Sequence, residues 1–256
     1  MEQHPTAIVS SKAQIGENVK IGAFSIIEDD VEIGDYTEIR SSVVIANGSR
    51  IGNNCVIFPS AVIGTEPQDL KFDGRKTLAI IGDRTVIREY VTIHRGTHAT
   101  GMTTVGNDCL IMAYCHIAHD CHVSDHIIMS NVAQLAGHVT VEEWAILGAF
   151  AKIHQFCSIG CHSMVGGDVK IVKDVAPYTL IGREPPKVEG INKIGLRRRG
   201  FSDETIKEIE SFYDMVLFSG YNNRDGIAKY IEKNTVSQEV KHCIEFIELS
   251  SRGIYR

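Results

Sequence analysis

Large aliphatic residues recur at every sixth position along most of the chain. From Val9 the series runs through Ile15, Ile21 and onward to Ile63, resumes at Ile81, Ile87 and Ile93, and continues from Val105 to Ile171. Of the twenty-eight positions spaced by six between Val9 and Ile171, twenty-five are Val, Ile, Leu or Met; the exceptions are Asp69, Arg75 and Ala99. Neither a 3.6-residue helix nor an alternating strand has that period. Four residues after the aliphatic comes a small or β-branched residue, as at Val19, Ser25, Thr37, Cys55, Ala61 and Ala133. Glycine often follows the aliphatic directly, as in IGEN, IGAF, IGDY and IGNN. The pattern predicts a hexapeptide β-helix of short strands and tight corners, with glycine relieving backbone strain at the corner. Three hexads close one triangular coil. Stacked coils repeat at about the inter-strand spacing of 4.8 Å, and each is buried only by its neighbours.

The phase places Cys55, Cys109, Cys115, Cys121 and Cys157 at the small interior position, where Cys acts as a small hydrophobe. Two stretches interrupt the beat, 64–80 and 94–104, both polar and glycine-containing. They predict excursions from the coil surface, where binding residues tend to sit. After Asp174 a Pro- and Gly-rich connector begins. Beyond it FSDETIKEIESFYDMVLFSG reads as an amphipathic helix with Ser202 as N-cap, followed by helical patterns at about 223–233 and 237–250. The expected division is a solenoid over 1–182, then a connector and C-terminal α-helical domain over 183–256.

The same phase interprets HIAHDCH, residues 116–122. Cys121 points inward, so it cannot share a metal cage with its neighbours. His116 and His122 face outward from strands, and His119 with Asp120 falls at a corner. One coil is eighteen residues, so His119 lies under Gly137, Asp120 under His138, and Gln155 above Gly137 beside His154. An outward column of imidazoles with a carboxylate beside it suits general-base chemistry, and the Gly137 N–H is open to an oxyanion. Three outward histidines also suit Zn²⁺ if a subunit boundary brings them together.

Composition narrows the classes. The net charge is −6, against a general nucleic-acid binder. No apolar run is long enough to span a membrane. Seven cysteines without a basic-then-apolar N-terminal leader fit a reduced, cytoplasmic protein.

The segments PQDLKF (67–72), IREYVTIHRGT (87–97), HIAHDC (116–121), LAGHV (135–139), HQFCSIG (154–160), MVGG (164–167) and LRRRGF (196–201) together resemble the UDP-N-acetylglucosamine acyltransferases of lipid A biosynthesis, over nearly the whole chain. The resemblance implies an all-β left-handed parallel β-helix with a C-terminal α-helical domain, assembled as a homotrimer. It implies transfer of a 3-hydroxyacyl chain from the phosphopantetheine of acyl carrier protein to the 3-hydroxyl of UDP-N-acetylglucosamine, without metal or other cofactor. Carried onto matching positions, His119 is the general base, Asp120 orients it and Gly137 supplies the oxyanion N–H. Gln68, Asp69, Lys71, His116, His138, His154 and Gln155 line the sugar-nucleotide site. Gly167 ends the acyl groove and, as glycine, leaves room for a long chain. Asn192, Arg198 and Arg199 meet the pantetheine arm and phosphates. Ile194 departs from members that carry Glu there. The rivals are the later N-acyltransferase of the same pathway, whose separate N-terminal uridine-binding domain has no counterpart before Val9, and a zinc hydro-lyase of the γ-carbonic-anhydrase type. A non-catalytic trimeric scaffold would leave the histidine column without purpose.

Overall fold

A computed structural model describes all 256 residues. Strands of mostly two or three residues alternate with corners and stack into three sheets of eleven, nine and eight strands, parallel but for one last strand. Together they form a left-handed parallel β-helix. Its interior is the periodic series itself: Ile27, Ile39, Ile45, Ile57, Ile63, Ile87, Ile93 and Ile111 are almost wholly buried, as are the small residues Val19, Ala61 and Ala133. Each interior aliphatic contributes about 1.5–3 kcal/mol by leaving water. One apolar core continues from Ala7 through the helices to Tyr255. All seven cysteines are free and buried. Burial pushes the thiols of Cys109, Cys115 and Cys157 up to about 11 and that of Cys121 to about 12.

The corners correct one expectation. Glycine after the aliphatic does not carry the left-handed backbone. That conformation falls on non-glycine residues at multiples of six, among them Asn18 (φ 53°), Tyr36 (58°), Asp120 (60°), His138 (62°) and Trp144 (63°). The glycines are needed instead because coils approach closely. A Cβ at Gly16 would lie 2.4 Å from Asp35 Oδ1, and one at Gly22 would lie 2.7 Å from the backbone of Arg40. The hand of the winding is opposite to the usual crossover. Strands this short accumulate too little twist to impose that rule.

Ile57 is in register with Ile87, and Ile87 with Ile111. The excursions therefore insert twelve and then six residues into eighteen-residue coils, whole hexads, which is why the phase survives them. The strands run further than the polar sequence suggests, ending at Thr65 and His94 and restarting at Leu78 and Met102. The connector is likewise more regular than expected. Lys187–Ile191 pairs antiparallel with Thr179–Gly182 and is the last strand of the eleven-stranded sheet.

Four α-helices follow: α1 (Lys193–Arg198), α2 (Asp203–Tyr213), α3 (Asn223–Lys233) and α4 (Gln238–Leu249). Ser202 caps α2 by accepting from the Thr205 N–H, and Ser237 caps α4 by accepting from the Val240 N–H. Sequence patterning missed α1, which is one and a half turns long and has Gly195 at its centre. Asn192 is its N-cap. The helices are fastened to the last coils by the Tyr213 hydroxyl donating to Pro177 O (2.7 Å) and by Asp174, which accepts from the Ser158 N–H and the Ser250 hydroxyl.

Candidate active site

The corner between the nine- and eight-stranded sheets carries the HIAHDC motif. It follows the strand His116–Ile117 and precedes the strand His122–Val123. His119 Nδ1 and Asp120 Oδ2 are 2.7 Å apart. Asp120, although at a corner, is buried. The second excursion folds over it, and Thr97 N–H (2.9 Å), Thr97 Oγ1 (2.7 Å) and Thr100 Oγ1 (2.5 Å) donate to its carboxylate. Burial alone would raise this carboxyl, but hydrogen bonds from Thr100, His119 and Thr97 outweigh it and bring it down to about 2. Asp120 is therefore a fixed anion, and it accepts from the Nδ1–H of His119. That leaves Nε2 of His119 with a free lone pair.

One coil above, Gly137 presses on that imidazole. A Cβ there would sit 2.6 Å from Cε1 and 2.9 Å from Nε2 of His119, so only glycine leaves the ring where it is. The Gly137 N–H donates to no group of the chain. At a different corner the equivalent amides are capped by the next coil, Asp35 N–H by Asn53 and Asn53 N–H by Asp83. No such side chain caps Gly137, so its N–H points outward unspent.

His138 lies edge-on to His119, ring centroids 5.2 Å apart, with its Nε2 3.7 Å from Asp120 Oδ2. Phe156 stacks on His138 with ring centroids 4.5 Å apart, a partner that the eighteen-residue arithmetic also yields when applied once more. Burial lowers the His138 pKa even though Asp120 and Asp69 both favour its charged form. Asp69, in the first excursion, is thus close enough to act on this corner. Its Oδ1 accepts from the Lys71 N–H at 2.9 Å, which holds the turn. Gln68 and Lys71 are exposed on the same excursion, Gln68 beside His94 and Arg95.

Across the nine-stranded face, His116, Gln134, His154 and Lys152 line a shallow cavity of about 330 Å³. His116 is held by Thr92 Oγ1 at 2.7 Å from its Nδ1. His154 is exposed, its Nδ1 3.1 Å from Gln155 O. Gly167 lies at the far corner of this face and is exposed, and a Cβ there would sit 3.2 Å from Ala149 O. His94 was not anticipated. It is buried edge-on to His116 at 5.0 Å, its Nδ1 has no partner, and burial followed by the neighbouring His116 and His119 brings its pKa down to about 4. The insertion of six residues between Thr92 and His116 hid this pairing from the eighteen-residue count.

Asn192, Arg198 and Arg199 are not at this corner of the chain. Asn192 and Arg199 sit at the corner between the eight- and eleven-stranded sheets, beside the stacked column His126, Trp144, His162 and Tyr178, and Arg198 ends α1 next to Arg199. The Arg199 guanidinium lies 5.3 Å over Trp144, whereas Arg198 is exposed. Asn192 is buried and doubly engaged, accepting from the Gly195 N–H and donating to His162 O.

The model for the second domain of UDP-N-acetylglucosamine O-acyltransferases matches residues 174–255, and the bacterial transferase hexapeptide model matches residues 12–47. An acyl-[acyl-carrier-protein]–UDP-N-acetylglucosamine O-acyltransferase of Xylella fastidiosa is 48% identical over 255 residues, covering 99% of this chain and 97% of its own. The corresponding protein of Stenotrophomonas maltophilia is 46% identical over the same length and the same shares. Among solved structures, a UDP-N-acetylglucosamine acyltransferase from Bacteroides fragilis superposes with a TM-score of 0.98 at 45% identity, covering 99% of both chains. One from Acinetobacter baumannii gives 0.96 at 39% identity, again over 99% of both. With this identity along its whole length, and with the histidine corner in place, the chain belongs to the acyl-[acyl-carrier-protein]–UDP-N-acetylglucosamine O-acyltransferase family.

Proposed function

We propose that the protein transfers a 3-hydroxyacyl chain from the phosphopantetheine thioester of acyl carrier protein to the 3-hydroxyl of UDP-N-acetylglucosamine, the first step of lipid A biosynthesis. One observation carries the reading: His119 is held by a buried anionic Asp120 through Nδ1 while its Nε2 faces outward beside the free Gly137 N–H. His119 Nε2 takes the proton of the sugar hydroxyl as its oxygen attacks the thioester carbonyl. The C–O bond forms, and the negative oxygen of the tetrahedral intermediate is met by the Gly137 N–H. Asp120 stabilises the imidazolium formed in that step. Collapse breaks the C–S bond, and His119 returns the proton to the departing pantetheine sulfur, so acid and base roles close the cycle.

Gln68, Asp69, Lys71, His116, His138, His154 and Gln155 bind the sugar nucleotide around this corner, and the acyl chain runs across the nine-stranded face toward Gly167. Asn192, Arg198 and Arg199 are one sheet away within the chain. We infer a homotrimer in which a neighbouring subunit brings that second corner to the His119 face, where the arginines meet phosphates and the acidic carrier. Asn192 acts there by holding α1 in position. The test is incubation with UDP-N-acetylglucosamine and a set of hydroxyacyl carrier proteins, with product masses read out. A 3-O-acylated sugar nucleotide supports the reading; no acylated product with any carrier contradicts it.

A further inference from the structure

A second cluster of reactive side chains stands away from the His119 corner, on the outer side of the eight-stranded sheet. Glu142 and Cys161 come from successive coils and His242 comes from α4. The Glu142 carboxylate oxygen, the Cys161 Sγ and a ring nitrogen of His242 all lie within 4.8 Å of one another. The group opens into a groove of about 800 Å³ between the sheet and α4. Glu142 Oε2 accepts from the Cys161 N–H at 2.8 Å and lies 2.8 Å from His242 Nε2, so the carboxylate is already aimed at the centre of the cluster. Asp125, Glu143, Glu239 and Glu245 line the same groove and make it attractive to cations.

We propose that Glu142, Cys161 and His242 form a binding site for a divalent transition-metal ion of borderline softness, zinc being the best fit. One thiolate, one imidazole and one carboxylate make the mixed S, N, O donor set that zinc accepts in tetrahedral geometry, and the groove leaves a fourth position for water. Hard cations such as Mg²⁺ would not take the sulfur. Binding releases the Cys161 thiol proton and the proton that His242 shares with Glu142. The bound site is then neutral: two positive charges on the ion against a thiolate and a carboxylate. Because His242 is on α4 and the other two ligands are on coils, the ion would clamp the helical unit onto the solenoid. Without an ion the imidazole pairs with the carboxylate instead, its Nε2 lying 2.8 Å from Glu142 Oε2. Protons therefore compete for the site as pH falls.

Cobalt(II) titration of the full chain tests this. The site predicts a near-ultraviolet thiolate-to-cobalt band and tetrahedral visible bands saturating at one equivalent per chain, reversed by zinc. The His119, Asp120 and His138 cluster contains no sulfur and cannot give the near-ultraviolet band. Cys161→Ser should abolish that band. Should that variant fold poorly, His242→Gln, at a half-exposed helix position, should abolish or strongly weaken it and remove the rise in Tm that zinc gives the wild type. A folded wild type showing no thiolate band, or a band that survives in Cys161→Ser or is unaltered in His242→Gln, would overturn the proposal.

Discussion

His119 and Asp120 are neighbours in sequence, and their side chains meet at 2.7 Å with Nδ1 against a carboxylate that the second excursion has sealed from water. Adjacent residues on an ordinary strand would point to opposite faces. The left-handed backbone of Asp120 (φ 60°) turns its side chain back under the excursion, where four donors from Thr97 and Thr100 meet it.

Asp120→Asn should lower kcat by roughly two to four orders of magnitude, the usual contribution of a positioned general base. The amide presents only one accepting oxygen to donors that now use both, and its NH₂ opposes His119 or Thr97. The change also has a pH signature. The folded carboxyl titrates at about 2, below its ordinary 3.8. Its contribution to stability is therefore fully present above pH ~4 and lost as pH falls through ~2, about 2 kcal/mol in all. Urea midpoints measured from pH 5 down to 2 should show that loss in wild type and a shallower one in the variant.

Gly137→Ala should keep the fold and the free N–H yet lose activity, because the new Cβ would sit 2.6 Å from His119 Cε1 and must displace the ring. A shift of the base by about an ångström costs roughly a hundredfold. Steady-state kcat beside the imidazole NMR signals of His119 would check it. An unmoved ring with full activity would mean that the coils have slack there.

The β-helix and the identity of the corner were legible in the sequence because a six-residue period fixes which way every side chain points, and eighteen-residue arithmetic stacks His138 on Asp120. What the sequence did not reveal depends on the excursions. The threonine cage around Asp120 and the burial of His94 are made by a loop whose path has no period. Strain was also misplaced. Glycine marks close approach between coils, whereas bulky residues such as Tyr36 and Trp144 hold the left-handed corners, a choice that composition alone does not signal. Helix α1 escaped because its stability comes from Leu196 in the core and the Asn192 cap rather than from helix propensity.

Arg198→Ala and Arg199→Ala should separate. Arg198 is exposed, so its loss should raise the KM for acyl carrier protein and flatten the salt dependence of that KM, with Tm unchanged. Arg199 packs over Trp144 and near His162, so its loss should also lower Tm. Thermal melts alongside KM at two ionic strengths distinguish the pair; a salt-independent KM in wild type would remove the electrostatic role.

Gly167→Met should shorten the preferred chain. The glycine is exposed at the far corner of the nine-stranded face, and a long side chain there blocks the last methylenes. At about 0.8 kcal/mol per buried CH₂, losing four costs a few kcal/mol, roughly two orders of magnitude in kcat/KM. Ten- and fourteen-carbon hydroxyacyl carriers should therefore reverse in preference. An unchanged ratio would show that the groove ends elsewhere.

His119, held by Asp120, moves the proton in the proposed reaction. The most direct measurement is kcat of His119→Ala with hydroxyacyl carrier protein and UDP-N-acetylglucosamine, on protein shown by circular dichroism and light scattering to keep the fold and assembly of the wild type. A fall of roughly 10²- to 10⁴-fold is expected. Retention of more than about a tenth of the wild-type kcat, far outside that range, would contradict it.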